Sequence, residues 1–185
     1  MKENITSQEK LIEIAKQIIL KEGVASLSIR KIARECEISV GVFYNYFETK
    51  GDLLFTIVSD YWQGLMENEQ LRNQEMVCDF AKNLYVVLVD KLEDFENTWL
   101  MQMSLLDYSE REKGKQLEHQ CFSHIINQII EVINKDQYVK EDVFNDVLTK
   151  ESFAHFVLMN IISIARNQHQ NCDAFIEILK RILYK

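Results

Sequence analysis

Apolar positions recur with a helical period from near the start of the chain to its end. Leu11, Ile14, Ala15, Ile18 and Ile19 fall at i, i+3, i+4, i+7 and i+8, the stripe of an amphipathic helix. Thr6 with Glu9 reads as its capping box and Gly23 as its stop, so a first helix is predicted from about Ser7 to Glu22. Ser28 offers an N-cap for a short helix to about Cys36, and Ser39 offers another for a helix to about Phe47. Thr49, with Asp52 three residues on, caps a fourth helix whose inner stripe is Leu54, Ile57, Val58, Tyr61 and Leu65 and which extends towards Gln70.

The same period continues through Val77, Phe80, Ala81, Leu84 and Leu88, then through Phe95, Trp99 and Met103 to Leu106, and then from Phe122 to Ile133. Asp136 to Thr149 is more polar and is expected to hold a loop and a short helix. Two final helices are predicted, about Glu151 to Gln168 and Cys172 to Tyr184. Between Phe153 and Ala165 the first of these is apolar around nearly its whole circumference, so it must be covered on both sides.

Composition narrows the fold class. The 185 residues include no proline and only five glycines, whereas a sheet-rich fold of this size spends many such residues on tight turns. The expectation is all-α. The longest stretch without Lys, Arg, Asp or Glu, Ser152 to Ala165, is too short to span a bilayer, and the N-terminal residues carry no apolar signal segment. A cytoplasmic protein without membrane association is expected. Cys36, Cys78, Cys121 and Cys172 are widely separated and form no CxxC pair, which reads as core packing. The net charge of −8 is unevenly placed: residues 1–50 hold eight Lys or Arg against seven Asp or Glu, and the remainder hold 13 against 22. An acidic body behind a less acidic head is compatible with DNA binding, because phosphate contacts need only a few placed groups.

Two short helices joined by a tight turn make a helix-turn-helix candidate. Ile29, Ile32 and Ala33 form the inner face of its supporting helix, with Ala33 small at the crossing. Ile38 plugs the turn, while Val42, Phe43 and Phe47 include the anchors of the second helix. Its outward positions are then Val40, Gly41, Tyr44 and Asn45. The N-terminal part of such a helix meets base edges in the major groove. There Gly41 permits close approach, Val40 and Val42 are candidates for thymine methyls, and Asn45 is a base-edge or phosphate candidate.

The segment Ser28 to Leu54, SIRKIARECEISVGVFYNYFETKGDLL, closely resembles the DNA-binding signature of the TetR family, and the resemblance is strong over residues 7–65. It implies phosphate contacts from Tyr44, Tyr46 and Lys50, and from Ser28 and Arg30 on the supporting helix, with Ser39 at the start of the reading helix. Glu37 departs from the pattern, standing where the turn usually has glycine. A positive φ there is expected to strain it by roughly 1 kcal/mol.

By the same resemblance, a three-helix DNA-binding domain over residues 1–50 precedes a helical effector-binding and dimerisation domain over residues 51–185. Its last two helices are expected to pair with a partner's through Phe153, Val157, Ile161, Ile164, Phe175, Leu179 and Ile182. The expected partners are double-stranded operator DNA with a pseudo-palindromic site, a second copy of the chain, and a small apolar or aromatic effector. Candidate effector-lining residues are Tyr85, Phe95, Trp99, Met103, Tyr108, Phe122, Phe156 and Met159, with His119, His124, Asn127 and Asn160 as polar partners. Repression is the commoner mode in the family.

Rival chemistries have thinner support. Cys121 and His124 can share a helix face, but His119 sits about 200° from Cys121 on a 3.6-residue helix, which opposes three-point metal coordination. There is no Gly-rich phosphate loop and no nucleophile elbow, so neither an enzyme nor a resident cofactor is expected. The alternatives are a helical adaptor that binds protein without specific DNA binding, and a redox- or metal-sensing regulator.

Overall fold

A computed structural model describes residues 7–95, 108–167 and 171–185, with the backbone alone for residues 62, 91–95, 108–111, 113, 114 and 117. Among the described residues the regular structure is entirely helical: α1 (Gln8–Glu22), α2 (Ile29–Glu35), α3 (Val40–Phe43), α4 (Lys50–Met66), α5 (Val77–Phe95), α6 (Tyr108–Lys135), α7 (Lys150–Arg166) and α8 (Asp173–Leu183), with two short 3₁₀ turns. No described helix is long and apolar enough to cross a membrane. The chain divides into two compact units, residues 1–62 with 94–117 and residues 63–93 with 118–185. The sequence alone suggests one cut, at residue 50.

In the first unit, α1 buries Leu11, Ala15, Ile18 and Ile19, four members of its predicted stripe. Its cap is Ser7, one residue later than expected, whose Oγ accepts from the Lys10 amide. Gly23 ends the helix at φ 81° and ψ 160°, a backbone conformation open to glycine, with its amide donating to the Ile19 carbonyl. Ile32 and Ala33 of α2, Phe43 of α3, Phe47, and Leu53, Leu54, Ile57 and Val58 of α4 are buried, so each short helix is held by one or two side chains.

The second unit has its core in α5 to α8, through Phe80, Leu84, Ile125, Ile129, Phe153, Leu158 and Leu179 among others. Residues 136–149 form turns and bends and no helix, contrary to the sequence expectation. Their backbone is met by side chains: Asn145 Oδ1 accepts from the amides of Val147 and Leu148. Side-chain acceptors of this kind compete with a helical ladder. Thr149 then caps α7, accepting from Ser152, and Phe144 lies edge-on to Phe153 at 5.6 Å.

Among the described residues of this unit, one charged residue is deeply placed. Asp136, 6% exposed, accepts at Oδ2 from the Val77 amide at 3.0 Å and the Tyr184 hydroxyl at 2.6 Å, and at Oδ1 from the Tyr138 amide at 3.1 Å. It therefore caps α5 from 59 residues away and ties the end of α6 to the residue after α8. Burial, reinforced by this bond, pushes the Tyr184 phenol well above its ordinary value.

Candidate nucleic-acid interface

The turn between α2 and α3 is set by hydrogen bonds at the end of α2. Ile38 donates to the Ala33 carbonyl and Glu37 to that of Arg34, the paired bonds of a Schellman ending. The residue between the helix cap and Ile38 must then be left-handed, and Glu37 has φ 59°. The positive φ expected from the sequence is present without the glycine that would relieve it. Glu37→Gly is expected to raise the melting temperature of the head, by up to about 1 kcal/mol of stability. Glu37→Gln, which keeps the strain, is expected to bring no such gain. Equal melting of wild type and the glycine variant would show that the strain is relaxed elsewhere.

Ser39 begins α3, its Oγ accepting from the Val42 amide, as Ser28 begins α2 by accepting from Lys31. The helix itself is shorter than predicted. It ends at Phe43, and residues 44–46 continue as hydrogen-bonded turns, with Asn45 and Tyr46 donating to the carbonyls of Val42 and Phe43. Phe43 is buried and packs its ring against Tyr44 and Phe47, with centroids 5.8 Å away in both cases. This anchoring leaves Val40, Gly41, Tyr44, Asn45 and Tyr46 exposed, with Val42 half-buried.

The flanking candidates lie on the neighbouring helix starts. Ser28 and Arg30 are exposed at the beginning of α2. Lys50, half-buried, opens α4, where Thr49 and Asp52 form the predicted reciprocal cap: Asp52 Oδ2 accepts from the Thr49 amide and the Asp52 amide donates to Thr49 Oγ1. Among the described residues, three other cations of the head are in ion pairs, Lys16 with Asp60, Lys31 with Glu22 and Arg34 with Glu35.

The candidates in the second half of the chain are distributed differently from the expectation. Phe153, Val157, Ile161, Phe175 and Leu179, read as a partner-facing stripe, are buried within the chain's own core. The strongest apolar stripe of each helix is used internally, and only Ile164 and Ile182 of that set remain half-buried. Conversely Phe156 and Met159, read as cavity wall, are 44% and 43% exposed, and Ile178 on α8 is 50% exposed. Phe156 of α7 lies 5.9 Å from the buried Phe175 ring of α8. Sequence periodicity could have flagged Ile178, which follows Phe175 by one turn.

Tyr85 and Phe122 are half-buried, Asn160 is half-buried with its amide donating to the Phe156 carbonyl, and His119, His124 and Asn127 are exposed. Phe95 and Tyr108 are described only as helix backbone, and Trp99 and Met103 lie outside the described residues.

The rival chemistries find little geometry. Cys121 is buried while His119 and His124 face outward, so the three do not converge. Burial pushes the Cys36 thiol up, opposite to what an oxidant-sensing thiolate requires.

Residues 11–57 match the family described as bacterial regulatory proteins, tetR family. An uncharacterized HTH-type transcriptional regulator of Bacillus subtilis, YuxN, is 30% identical over 135 residues, covering 69% of this chain. The match spans 46% of that protein's own length, less than half. Two solved structures share the fold over nearly the whole chain. A TetR-family regulator from Vibrio parahaemolyticus gives a TM-score of 0.66 at 18% identity, covering 96% of this chain and 98% of that one. The transcriptional regulator FadR from Bacillus subtilis, in complex with stearoyl-CoA, gives 0.67 at 16% identity with the same coverage.

Proposed function

Because the chain belongs to the tetR family of bacterial regulatory proteins, we propose that it is a transcriptional regulator and not an enzyme, and that it binds a pseudo-palindromic operator in the cytoplasm as a homodimer. The observation that carries this reading is the anchored α3: Phe43 and Phe47 are buried beneath it while Val40, Gly41, Tyr44 and Asn45 face outward. An adaptor that binds protein has no need of that surface. Residues 1–50 supply the DNA-binding domain, and residues 51–185 the effector-binding and dimerisation domain.

The dimer forms through the apolar groups that α7 and α8 leave exposed, Phe156, Met159 and Ile178, with Ile164 and Ile182 at their margin. Two-fold symmetry in the protein then calls for matched half-sites in the DNA. The regulator acts as a repressor, since a dimer seated on an operator occludes polymerase. A small apolar molecule releases it by binding the second domain and changing the separation of the two reading units. FadR, a relative in fold, is in complex with stearoyl-CoA, a molecule with a long apolar acyl chain on a charged coenzyme A, which lends support to an effector with an apolar part. A tenfold release requires about 1.4 kcal/mol of coupling, and operator DNA must weaken the effector by the same factor.

The test is a shift assay on genomic fragments with the full-length chain. Tyr44→Ala and Lys50→Ala are expected to weaken binding without unfolding the protein, Lys50→Ala lowering the salt slope by about one unit. If both variants bind as the wild type does, α3 is not the docking face. If no fragment is shifted, the adaptor reading takes its place.

A further inference from the structure

The surface formed by α3 and the turns beside it carries no cation of its own. From Glu37 to Thr49 there is no Lys or Arg, and there are two glutamates, Glu37 and Glu48. Bidentate recognition of guanine at O6 and N7 relies on Arg or Lys. The cations that bracket the segment are poorly placed to supply it. Arg34 is bonded to Glu35 at 3.0 Å, and Lys50 is half-buried at the start of α4.

Besides the hydroxyls of Tyr44 and Tyr46, which the resemblance assigns to phosphate, the surface presents apolar and amide groups. Val40 is 37% exposed, and Asn45 is exposed on the turn that follows α3. The Ser39 hydroxyl accepts from the Val42 amide, which fixes it at the start of α3. A Cβ added at Gly41 would meet only Ser39 Oγ, at 3.7 Å, an ordinary contact. Packing therefore does not demand glycine there, and a bare backbone beside Val40 leaves room for a base edge. An isopropyl group complements the thymine C5-methyl, and a carboxamide complements adenine at N6 and N7.

We propose that α3 reads A·T pairs: Val40, beside the open backbone of Gly41, packs on thymine methyls, Asn45 pairs with an adenine, and no guanine is contacted by this segment. This rests on the DNA-binding function proposed above and specifies the substrate that function takes.

The experiment is selection of bound duplexes from a random pool by the full-length protein, followed by single-atom substitution in the selected half-site. The expected half-site has A·T pairs where α3 protects the DNA. Uracil for thymine should weaken binding about fourfold per methyl, from the apolar area lost, and Val40→Ala should remove that difference. Replacing the contacted adenine by 7-deazaadenine should weaken wild type about tenfold and leave Asn45→Ala unaffected. A selected half-site that loses affinity with 7-deazaguanine, or one indifferent to thymine methyls, overturns the proposal while the DNA-binding function stands. Failure to enrich any sequence refutes the function itself, and this reading with it.

Discussion

Asp136→Ala is expected to lower the stability of the second unit by about 3 kcal/mol. The carboxylate is nearly inaccessible and accepts from the Val77 amide, the Tyr138 amide and the Tyr184 hydroxyl. Hydrogen bonds to a charged group contribute about 1.5–3 kcal/mol each, and buried donors left without an acceptor carry a desolvation penalty. The two bonds at Oδ2 are the ones at stake, because they hold the start of α5 and the residue after α8 to one atom. Asp136→Asn, which retains one carbonyl oxygen, should lose about half as much. Tyr184→Phe should lose about 1–2 kcal/mol. Urea denaturation followed by circular dichroism measures all three, and a loss under about 1 kcal/mol for the alanine variant would show that burying the charge offsets its bonds.

The same group sets an alkaline limit. Folding raises the Tyr184 pKa, so the native state holds its proton more tightly than the unfolded chain does. Its contribution is complete below pH of about 10, the ordinary phenol value, and is lost progressively as the pH rises beyond it. Tyr184→Phe should be less stable at neutral pH and show a shallower decline above pH of about 10.

Met159→Glu combined with Ile178→Glu is expected to give a folded monomer whose operator affinity is at least about a hundredfold lower. Both side chains are close to half exposed, so charge can be placed there without entering the core. Across a dimer interface the same charges are desolvated opposite their own symmetry mates, and like charges repel. A single head then binds without its partner, forfeiting an effective-concentration gain of about 10² to 10⁴. Light scattering measures the mass and fluorescence anisotropy the affinity. A double variant that remains dimeric would place the interface elsewhere. Truncation at Cys172 cannot substitute for this variant, because it also removes Phe175, Ile176, Leu179 and Leu183 from the core of the second unit. Its expected product is an unfolded chain.

The features legible in the sequence are those written within a few residues of one another. The α1 stripe, the Gly23 stop, the caps at Ser28, Ser39 and Thr49 and the positive φ at Glu37 all arise from local hydrogen bonding or helical spacing. Asp136 was not legible, since its partners Val77 and Tyr184 lie 59 and 48 residues away. Nor does periodicity decide direction where a helix has two apolar faces. On α7 both Phe153 and Phe156 belong to apolar stripes, and which of them is buried is decided by groups outside the helix: Phe153 is covered with Phe144 edge-on to it, whereas Phe156, beside Phe175, stays 44% exposed. The early end of α3 has a similar origin. Phe43 and Phe47 both seek the small core of the head, and tight turns between them satisfy that pull as well as a longer helix would.

The four cysteines give the protein built-in clocks. Each sulfur is buried, and burial pushes each thiol upward, Cys121 to about 12. Near neutral pH an alkylating reagent must therefore wait for the surrounding structure to open before it finds a reactive thiolate. Cys36 belongs to the first unit, and Cys78, Cys121 and Cys172 belong to the second. The labelling rate at Cys36 thus times the opening of the first unit, and the rates at the other three time the opening of the second unit, with no engineered probe in either.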